Sequence, residues 1–325
     1  MDYINFGGAG VKVSRLALGL GLRGQSDEVA AQRLVEYAID QGINVIDCAN
    51  VYAPMDQQRN AGRAEEIVGR AIQGKRDDLF LTTKVAGRIG PGPNDQGLSR
   101  YAILREIDRS LKRLNTDHVD LYLVHVYDSS TPLEETMRAL DDVVRSGKAR
   151  YVGCCNFAAW QVCRGLWIAD KLNSAPFLCV QNPYSMLHRH LEREMFGLVK
   201  DRGLGIMAYS PLAVGLLSNA YQPGQPPPAG SLWATHRKEY YDKLMQGPVA
   251  TVLNTLHQCA AELGKTPAQI AIAWVLSHPE ITLAISGADT REHLDDVLGG
   301  VGWALDPAIR QKLDDMSDEV TIGVM

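Results

Sequence analysis

The fold of this chain is decided by the stretch GINVIDCANVY (residues 42–52), in which a short apolar run ends at an aspartate. Two later runs have the same form, since LFLTTK (79–84) ends at a lysine and VDLYLVH (119–125) ends at a histidine. Stretches with apolar residues at helical spacing separate these runs. The pattern is typical of buried parallel strands in a repeating strand–helix unit.

The same alternation continues along the chain and predicts eight strands. They lie near 16–20, 43–47, 79–83, 119–124, 149–153, 177–180, 204–208 and 281–285. The helical patterns lie at 27–42, 63–73, 100–114, 133–146, 157–171, 189–202 and 248–277. Eight strands separated by helices favour a (β/α)8 barrel of the α/β class over an open doubly wound sheet. We interpret residues 1–325 as one barrel domain with extra C-terminal helices.

The first residues predict a β-hairpin. YINF (3–6) and VKVS (11–14) flank the glycines of GGAG (7–10), which tolerate the positive φ of a tight turn. GGAG precedes the first barrel strand, whereas a glycine-rich dinucleotide fingerprint follows a strand, so a Rossmann fold does not fit. We expect the hairpin to close the barrel floor. We expect the loops at 53–62, 86–98 and 221–237 to shape the opposite end.

Composition indicates a soluble globular protein, with 46% hydrophobic residues, 22% charged residues and a net charge of −5. This charge does not favour nucleic acid or an anionic membrane as a partner. The chain shows neither a signal-peptide pattern nor an apolar run of transmembrane length, which predicts a cytoplasmic location. The six cysteines lack C-x-x-C spacing, so we predict buried reduced thiols. The histidines lack partners at metal-ligand spacing, so we predict no metal.

Four polar side chains follow the predicted strands of the first half: Asp47, Tyr52, Lys84 and His125. Each alone has an ordinary structural explanation, as a turn cap, a loop aromatic, a surface lysine or a core histidine. In a barrel, however, the carboxyl ends of the strands converge on one mouth, where the active site lies. We therefore expect these four side chains to share one pocket.

The four side chains suit the reduction of an aldehyde or ketone. A nearby ammonium favours a phenolate, so Lys84 would lower the pKa of Tyr52. Asp47 would hold Lys84 charged and oriented. A neutral His125 would donate a hydrogen bond to a carbonyl oxygen as negative charge grows on it.

The sequence resembles the aldo-keto reductases over nearly its whole length, in a layout most similar to bacterial members that resemble potassium-channel β subunits. The matching segments are GINVIDCANVY (42–52), LTTKV (81–85), DLYLVH (120–125), YVGCCNF (151–157), VQNPYS (180–185), MAYSPLAVGLL (207–217) and ISGADT (285–290). Their order and spacing together make the resemblance specific. It implies that Asp47, Tyr52, Lys84 and His125 form the catalytic tetrad of the family.

The resemblance also implies a nicotinamide cofactor, because no side chain can itself supply a hydride. Asn156 and Gln181 would bind its carboxamide, and Tyr209 would stack on the ring. The implied phosphate and ribose contacts come from the loops after the strands. The full cofactor-binding set is Gly21, Asn156, Gln181, Tyr209, Ser210, Leu212, Ala213, Gly215, Gly287, Asp289 and His293.

The adenosine end departs from the usual family pattern. Asp289 occupies a position where a basic residue is common, and His293 and Val297 replace the expected glutamine and asparagine. Ala220 and Leu232 replace a lysine and an arginine. An acidic side chain repels a 2′-phosphate and can accept hydrogen bonds from a free 2′-hydroxyl, whereas Arg291 can reach a phosphate. NADP(H) and NAD(H) both stay open, with a slight preference for NADP(H).

Three functions are compatible with these observations. The first is reversible hydride transfer between the cofactor and a small-molecule aldehyde, ketone or sugar, with Tyr52 as general acid and base. The second is an NAD-dependent sugar or polyol dehydrogenase that works in the oxidative direction. The third is a cofactor-sensing regulatory subunit. The physiological substrate and a homo-oligomeric state stay open.

Overall fold

The computed structural model describes residues 1–22, 24–57, 60–318 and 320–323. Its strands are β1 (Tyr3–Asn5), β2 (Lys12–Ser14), β3 (Leu16–Gly19), β4 (Val45–Asp47), β5 (Phe80–Val85), β6 (Val119–Val124), β7 (Ala149–Cys155), β8 (Phe177–Pro183), β9 (Gly205–Tyr209) and β10 (Leu283–Ser286). Strands β3 to β10 pair in parallel in chain order, and β10 returns to β3. The predicted (β/α)8 barrel is therefore confirmed. The assignment of residues 1–325 to a single domain stays a prediction.

The helices of the described residues surround this barrel. They are α1 (Glu28–Asp40), α2 (Arg63–Ala71), α3 (Arg100–Leu114), α4 (Leu133–Arg145), α5 (Ala159–Leu172), α6 (Met195–Arg202), α7 (Leu232–Thr235), α8 (Lys238–Leu244), α9 (Pro248–Leu263), α10 (Pro267–Leu276), α11 (Arg291–Leu298) and α12 (Pro307–Ser317). Short 3₁₀ turns lie at Pro54–Asp56, Arg76–Asp78 and His190–Glu192. None of the helices in the described part of the chain combines the length and the hydropathy that a membrane span requires.

The helical pattern predicted at 248–277 forms two helices, α9 and α10, and not one continuous helix. Gly264 adopts a φ of 60° and caps α9, as left-handed glycines commonly do at helix ends. Thr266 then caps the N-terminus of α10 through a capping box with Gln269, and Pro267 is the first residue of the helix. The helix predicted at 189–202 is also shorter, since α6 begins only at Met195.

Alternation along each strand separates two cores. Outward residues such as Ile46 and Leu81 pack against the helices, whereas Val45, Phe80 and Leu121 fill the barrel interior. Successive strand residues point to opposite faces, so every second residue continues the inward series. Asp47, Lys84 and His125 lie on that inward series, beyond the apolar filling, and Thr82 lies between Phe80 and Lys84.

The N-terminal hairpin closes the barrel floor as predicted. Strand β1 pairs antiparallel with β2, with Ile4 opposite Val13. Phe6 is fully buried within the interior core and meets Phe80 edge to face, with ring centroids 5.2 Å apart. This end of the barrel is thus filled with side chains, and the mouth lies at the other end.

The loops around the mouth agree with the prediction in part. Residues 86–98 and 221–230 carry no helix or strand, whereas the last part of the loop predicted at 221–237 contains α7, and α8 begins directly after it. Trp233 of α7 is fully buried and donates a hydrogen bond from Nε1 to the carbonyl of Val214. In the loop predicted at 53–62, Gln58 and Arg59 lie outside the described residues. Five of the six cysteines are buried, and Cys163 is exposed.

Candidate active site

The mouth of the barrel brings Asp47, Tyr52, Lys84 and His125 into mutual contact. Asp47 is the last residue of β4, Lys84 lies near the end of β5, and His125 directly follows β6. Tyr52 lies on the turn after β4, where its amide donates a hydrogen bond to the carbonyl of Ala49. The structure thus places all four predicted catalytic side chains in one pocket.

Lys84 is the hub of this group. Its ammonium donates hydrogen bonds to Asp47 Oδ2 at 2.6 Å and to the carbonyl of Cys48 at 2.8 Å. It also lies 3.4 Å from the hydroxyl of Tyr52. Lys84 is fully buried, so this ion pair is shielded from solvent. Burial lowers the pKa of Lys84, but Asp47 and Tyr52 raise it by more, and the net direction is upward. Lys84 is therefore a permanent cation at physiological pH.

His125 faces Tyr52 from the end of β6, with β5 between the two strands that carry them. Its Nε2 lies 3.4 Å from the hydroxyl of Tyr52, and the two rings meet edge to face. Burial and the Lys84 ammonium lower the pKa of His125 to about 3. The imidazole is thus neutral at physiological pH, as expected for a side chain that donates a hydrogen bond to a carbonyl oxygen.

The pKa of Tyr52 differs from the sequence-based expectation. Lys84 lowers it, as anticipated, but burial acts more strongly and raises the pKa of Tyr52 to about 12. Desolvation disfavours the charged phenolate, and one ammonium at hydrogen-bond distance does not offset this. Tyr52 is therefore a protonated phenol, the form that can give a proton to a reduced carbonyl oxygen.

Asp47 has two further partners, which the sequence reasoning missed in this role. The hydroxyl of Thr82 donates to Asp47 Oδ1 at 2.6 Å, and Gln181 Nε2 donates to the same oxygen at 2.9 Å. Cys155 Sγ in turn donates to Gln181 Oε1 at 3.6 Å. The inward alternation of LFLTTK was the available signal for Thr82, which lies two residues before Lys84.

The residues assigned to the nicotinamide lie on the opposite wall of the mouth. Asn156 donates from Nδ2 to the carbonyl of His125 at 2.9 Å and accepts a hydrogen bond from the hydroxyl of Tyr209 at 2.8 Å. Both side chains are accessible, whereas Gln181 is only 3% exposed. Asn156 and Tyr209 are thus open to a ligand, and Gln181 is directed toward Asp47.

Left-handed backbone concentrates around the mouth. Non-glycine residues with positive φ occur after β3, β4, β5, β7 and β9, at Leu22, Met55, Ala86, Asn156, Ser210, Ala213 and Val214. A β-branched residue such as Val214 adopts this conformation at a cost in energy, and such strain gathers at functional sites. Gly215 has a φ of 87°, and an added Cβ would approach the ring of Tyr221 to 3.2 Å. The positive φ and the nearby ring of Tyr221 therefore both explain why position 215 is a glycine.

The two loops assigned to phosphate and ribose contacts leave space at their glycines. A Cβ built on Gly21 or on Gly287 meets nothing within 4 Å. Leu212 is half-buried beside the left-handed turn that begins at Ser210. Helix α11 follows Gly287, and its cap Thr290 accepts a hydrogen bond from the amide of His293, an exposed residue of the first turn.

Asp289 and Arg291 have separate surroundings at this end of the site. Asp289 is half-buried, and its carboxylate lies so close to Gly24 that an added Cβ at Gly24 would meet Oδ2. Burial raises the pKa of Asp289, and the Gly24 amide opposes this. The guanidinium of Arg291 lies 3.9 Å from the ring centroid of Tyr37 on α1. Val297 is buried in the core and does not reach the surface of the site.

Within the described residues, no group of three or more His, Cys, Asp or Glu side chains is arranged to hold a metal ion. The prediction that the protein uses no metal stays a prediction. The rings of His188 and His190 instead contact each other at an interplanar angle of 54°, with centroids 4.7 Å apart.

Comparison with known proteins identifies the chain's relatives. Residues 15–317 match the model of the aldo/keto reductase family. The chain is 38% identical over 324 residues to the uncharacterized oxidoreductase YrpG of Bacillus subtilis. The aligned region covers 97% of this chain and 96% of YrpG. It is 36% identical over 322 residues to a probable voltage-gated potassium channel subunit beta of Arabidopsis thaliana, with the same two shares. A rice protein of the same description is 36% identical over 299 residues, which cover 90% of this chain and 88% of the rice protein.

These matches confirm the resemblance that the motifs indicated, including its layout. They cover the whole barrel and all four residues of the pocket. The chain therefore belongs to the aldo/keto reductase family, whose members are oxidoreductases that generally use nicotinamide cofactors.

Proposed function

We propose that this protein transfers a hydride reversibly between a nicotinamide cofactor and the carbonyl or alcohol carbon of an aldehyde, ketone or sugar. Tyr52 is the general acid in reduction and the general base in oxidation. The observation that carries the proposal is the position of the Tyr52 hydroxyl, 3.4 Å from both Lys84 Nζ and His125 Nε2. A proton donor, a fixed cation and a neutral hydrogen-bond donor thus meet at one point of the mouth.

The three groups have distinct parts in this proposal. A carbonyl oxygen between Tyr52 and His125 receives hydrogen bonds from both, which stabilise the negative charge that develops as the carbon is reduced. Tyr52 then gives its proton to that oxygen. The buried Lys84 stabilises the resulting phenolate, and Asp47 keeps Lys84 in place. The nicotinamide, when bound, supplies the hydride in reduction and accepts it in oxidation.

The residues around the mouth fit such a cofactor. Asn156 offers an amide for the carboxamide, and Tyr209 offers a ring beside it. The backbone of the turn at Ser210, with Leu212 and Ala213, would bind the pyrophosphate. The open space at Gly21 and Gly287 leaves room for phosphate and ribose, with Asp289 and His293 at the adenosine end. Gln181 would add to the carboxamide contact only by giving up part of its bond to Asp47.

A second candidate is an NAD-dependent sugar or polyol dehydrogenase that works in the oxidative direction. It is favoured by the surroundings of Asp289 and Arg291. The carboxylate is fixed by Gly24 where it can accept bonds from a ribose hydroxyl, while Arg291 packs on Tyr37. A free 2′-hydroxyl suits that carboxylate better than a 2′-phosphate.

A third candidate, a cofactor-sensing regulatory subunit, is suggested by the plant relatives that are described as channel subunits. The intact group of four catalytic side chains favours the enzyme. A cytoplasmic location and a small-molecule substrate belong to the same proposal.

The test is to titrate the purified protein with NADPH and NADH and then to assay a panel of carbonyl compounds. The panel contains 4-nitrobenzaldehyde, methylglyoxal and glyceraldehyde, and the matching alcohols are assayed with the oxidised cofactors. Cofactor quenching of protein fluorescence with turnover of at least one probe supports the proposal. Binding of a cofactor without turnover of any probe by wild type would favour the regulatory subunit instead.

A further inference from the structure

Thr82 lies directly beside Asp47 in the barrel interior. Strands β4 and β5 pair in parallel with Asp47 opposite Thr82. Both residues point inward, so their side chains are neighbours in the barrel interior. The Thr82 hydroxyl donates to Asp47 Oδ1 at 2.6 Å, and Thr82 is fully buried. No solvent can replace this bond in the folded protein.

The two carboxylate oxygens of Asp47 accept hydrogen bonds from different groups. Oδ2 accepts a hydrogen bond from the ammonium of Lys84. Oδ1 accepts one from the hydroxyl of Thr82 on the adjacent strand and one from the amide of Gln181 across the barrel. Strand β8, which carries Gln181, is four strands from β4 in either direction around the ring, so Gln181 approaches from the opposite wall. Two donors from different directions fix the plane of the carboxylate.

We propose that Thr82 is a positioning residue of the active site, which together with Gln181 fixes the Asp47 carboxylate so that Lys84 Nζ is held within reach of the Tyr52 hydroxyl. The Thr82 hydroxyl bonds to Asp47 and to neither Tyr52 nor His125, so Thr82 acts through Asp47. The proposal rests on the proposed function, because it concerns the same proton-transfer group.

The consequence is a change in the ionisation of Tyr52 when Thr82 is lost. Lys84 is the group that opposes the effect of burial on the pKa of Tyr52. The charged and titratable groups that act on the Tyr52–Lys84 pair are Asp47 from β4 and Cys155 from β7, with His125 beside them after β6. If Nζ moves away from the hydroxyl, phenolate formation requires a higher pH. Alcohol oxidation, which uses the phenolate, then rises with pH only at more alkaline values.

The chain supplies a matched control in the next residue. Thr83 is also fully buried, and its hydroxyl also donates to a buried carboxylate, that of Glu65 on α2. Thr83 points outward to the helices, however, whereas Thr82 points to the active site. Thr82→Val and Thr83→Val therefore remove the same kind of bond from the two faces of one strand.

The experiment measures four quantities in both variants and in Thr82→Ser: the thermal unfolding midpoint, the NADPH and NADH affinities, the kcat for 4-nitrobenzaldehyde reduction, and the pH dependence of 4-nitrobenzyl alcohol oxidation. Both valine variants are expected to unfold at lower temperature and to keep the cofactor affinities. Only Thr82→Val lowers kcat, roughly 10- to 100-fold, the range for a slightly misplaced catalytic group, and shifts the oxidation profile to higher pH. Thr82→Ser, which keeps the hydroxyl, restores both.

The proposal is overturned if Thr82→Val matches Thr83→Val in kcat and in pH profile. If Thr82→Val does not fold, Thr82→Ala is compared with Thr82→Ser by the same criteria. Tyr52→Phe separates this proposal from the proposed function. Full turnover in Tyr52→Phe refutes the proposed mechanism, whereas an inactive Tyr52→Phe with a normal Thr82→Val refutes only the role of Thr82.

Discussion

Lys84 Nζ lies 3.4 Å from the hydroxyl of Tyr52 and 4.7 Å from the centroid of the same ring. The ammonium thus contacts both the oxygen and the aromatic face of one tyrosine. This contact lowers the pKa of Tyr52 against the stronger opposing effect of burial. A phenol in this setting is a weak acid at rest, and its conjugate base is stabilised at the moment when the proton leaves.

The first prediction concerns the Tyr52 hydroxyl. Tyr52→Phe removes only that oxygen, so the ring contact with Lys84 and His125 is kept. We expect kcat for 4-nitrobenzaldehyde to fall roughly 10²- to 10⁴-fold, the range for loss of a general acid. Cofactor affinity, measured by fluorescence titration, is expected to stay unchanged. Retention of wild-type turnover with normal cofactor binding would contradict the role of Tyr52.

The second prediction concerns the buried ion pair of Asp47 and Lys84, whose side chains are 4% and 0% exposed. Lys84→Met leaves an unpaired buried carboxylate and is expected to lower the free energy of unfolding by about 3–5 kcal/mol. Adding Asp47→Asn removes the leftover charge, so the double variant is expected to be more stable than Lys84→Met alone. Denaturant unfolding of wild type, both single variants and the double variant gives the coupling energy. A double variant less stable than Lys84→Met would contradict the ion-pair interpretation.

Much of this site could be predicted from the sequence because strand alternation is a strong signal. Asp47, Lys84 and His125 lie on the inward positions of their strands, and a barrel brings such positions together at its mouth. The apolar runs before them determine both strand position and inward direction. The grouping of these side chains with Tyr52 therefore followed from pattern and fold class.

Other features depend on three-dimensional distances that residue types do not encode. The net pKa of Tyr52 depends on how deeply the ring is buried, and burial outweighs the Lys84 effect that sequence suggested. Gln181 reaches Asp47 from the opposite wall, over 134 residues of sequence. The break at Gly264 within the predicted helix 248–277 was visible as a glycine, but the strong apolar periodicity on both sides concealed it.

The third prediction concerns pH-dependent stability. The pKa of His125 is lowered from 6.5 to about 3, first by burial and then by Lys84, with Asp47 opposing. Between these values the unfolded chain binds a proton that the folded chain does not. The free energy of unfolding therefore decreases as pH falls from 6.5 toward 3, with a contribution of up to about 1.4 kcal/mol per pH unit.

His125→Gln removes this contribution, so its stability is expected to change less steeply over the same acidic range. Denaturant unfolding at a series of pH values measures both slopes. Equal slopes for wild type and His125→Gln would show that His125 does not have the lowered pKa.

The last prediction concerns Asp289 and the choice of cofactor. Its carboxylate is fixed beside Gly24 at the end of the site assigned to the adenosine ribose. A negative charge there repels a 2′-phosphate, by about 1 kcal/mol for partly solvated charges, whereas it can accept a bond from a 2′-hydroxyl. Asp289→Asn is therefore expected to improve NADPH affinity relative to NADH by about fivefold, which corresponds to that energy.

Asp295→Asn is the control, because it makes the same charge change on the exposed side of α11, where Asp295 accepts a hydrogen bond from Tyr37. It is expected to leave the ratio of the two affinities unchanged. Fluorescence titrations with both cofactors measure the two ratios, and an equal change in both variants would mean that net charge, and not the position of Asp289, sets the preference.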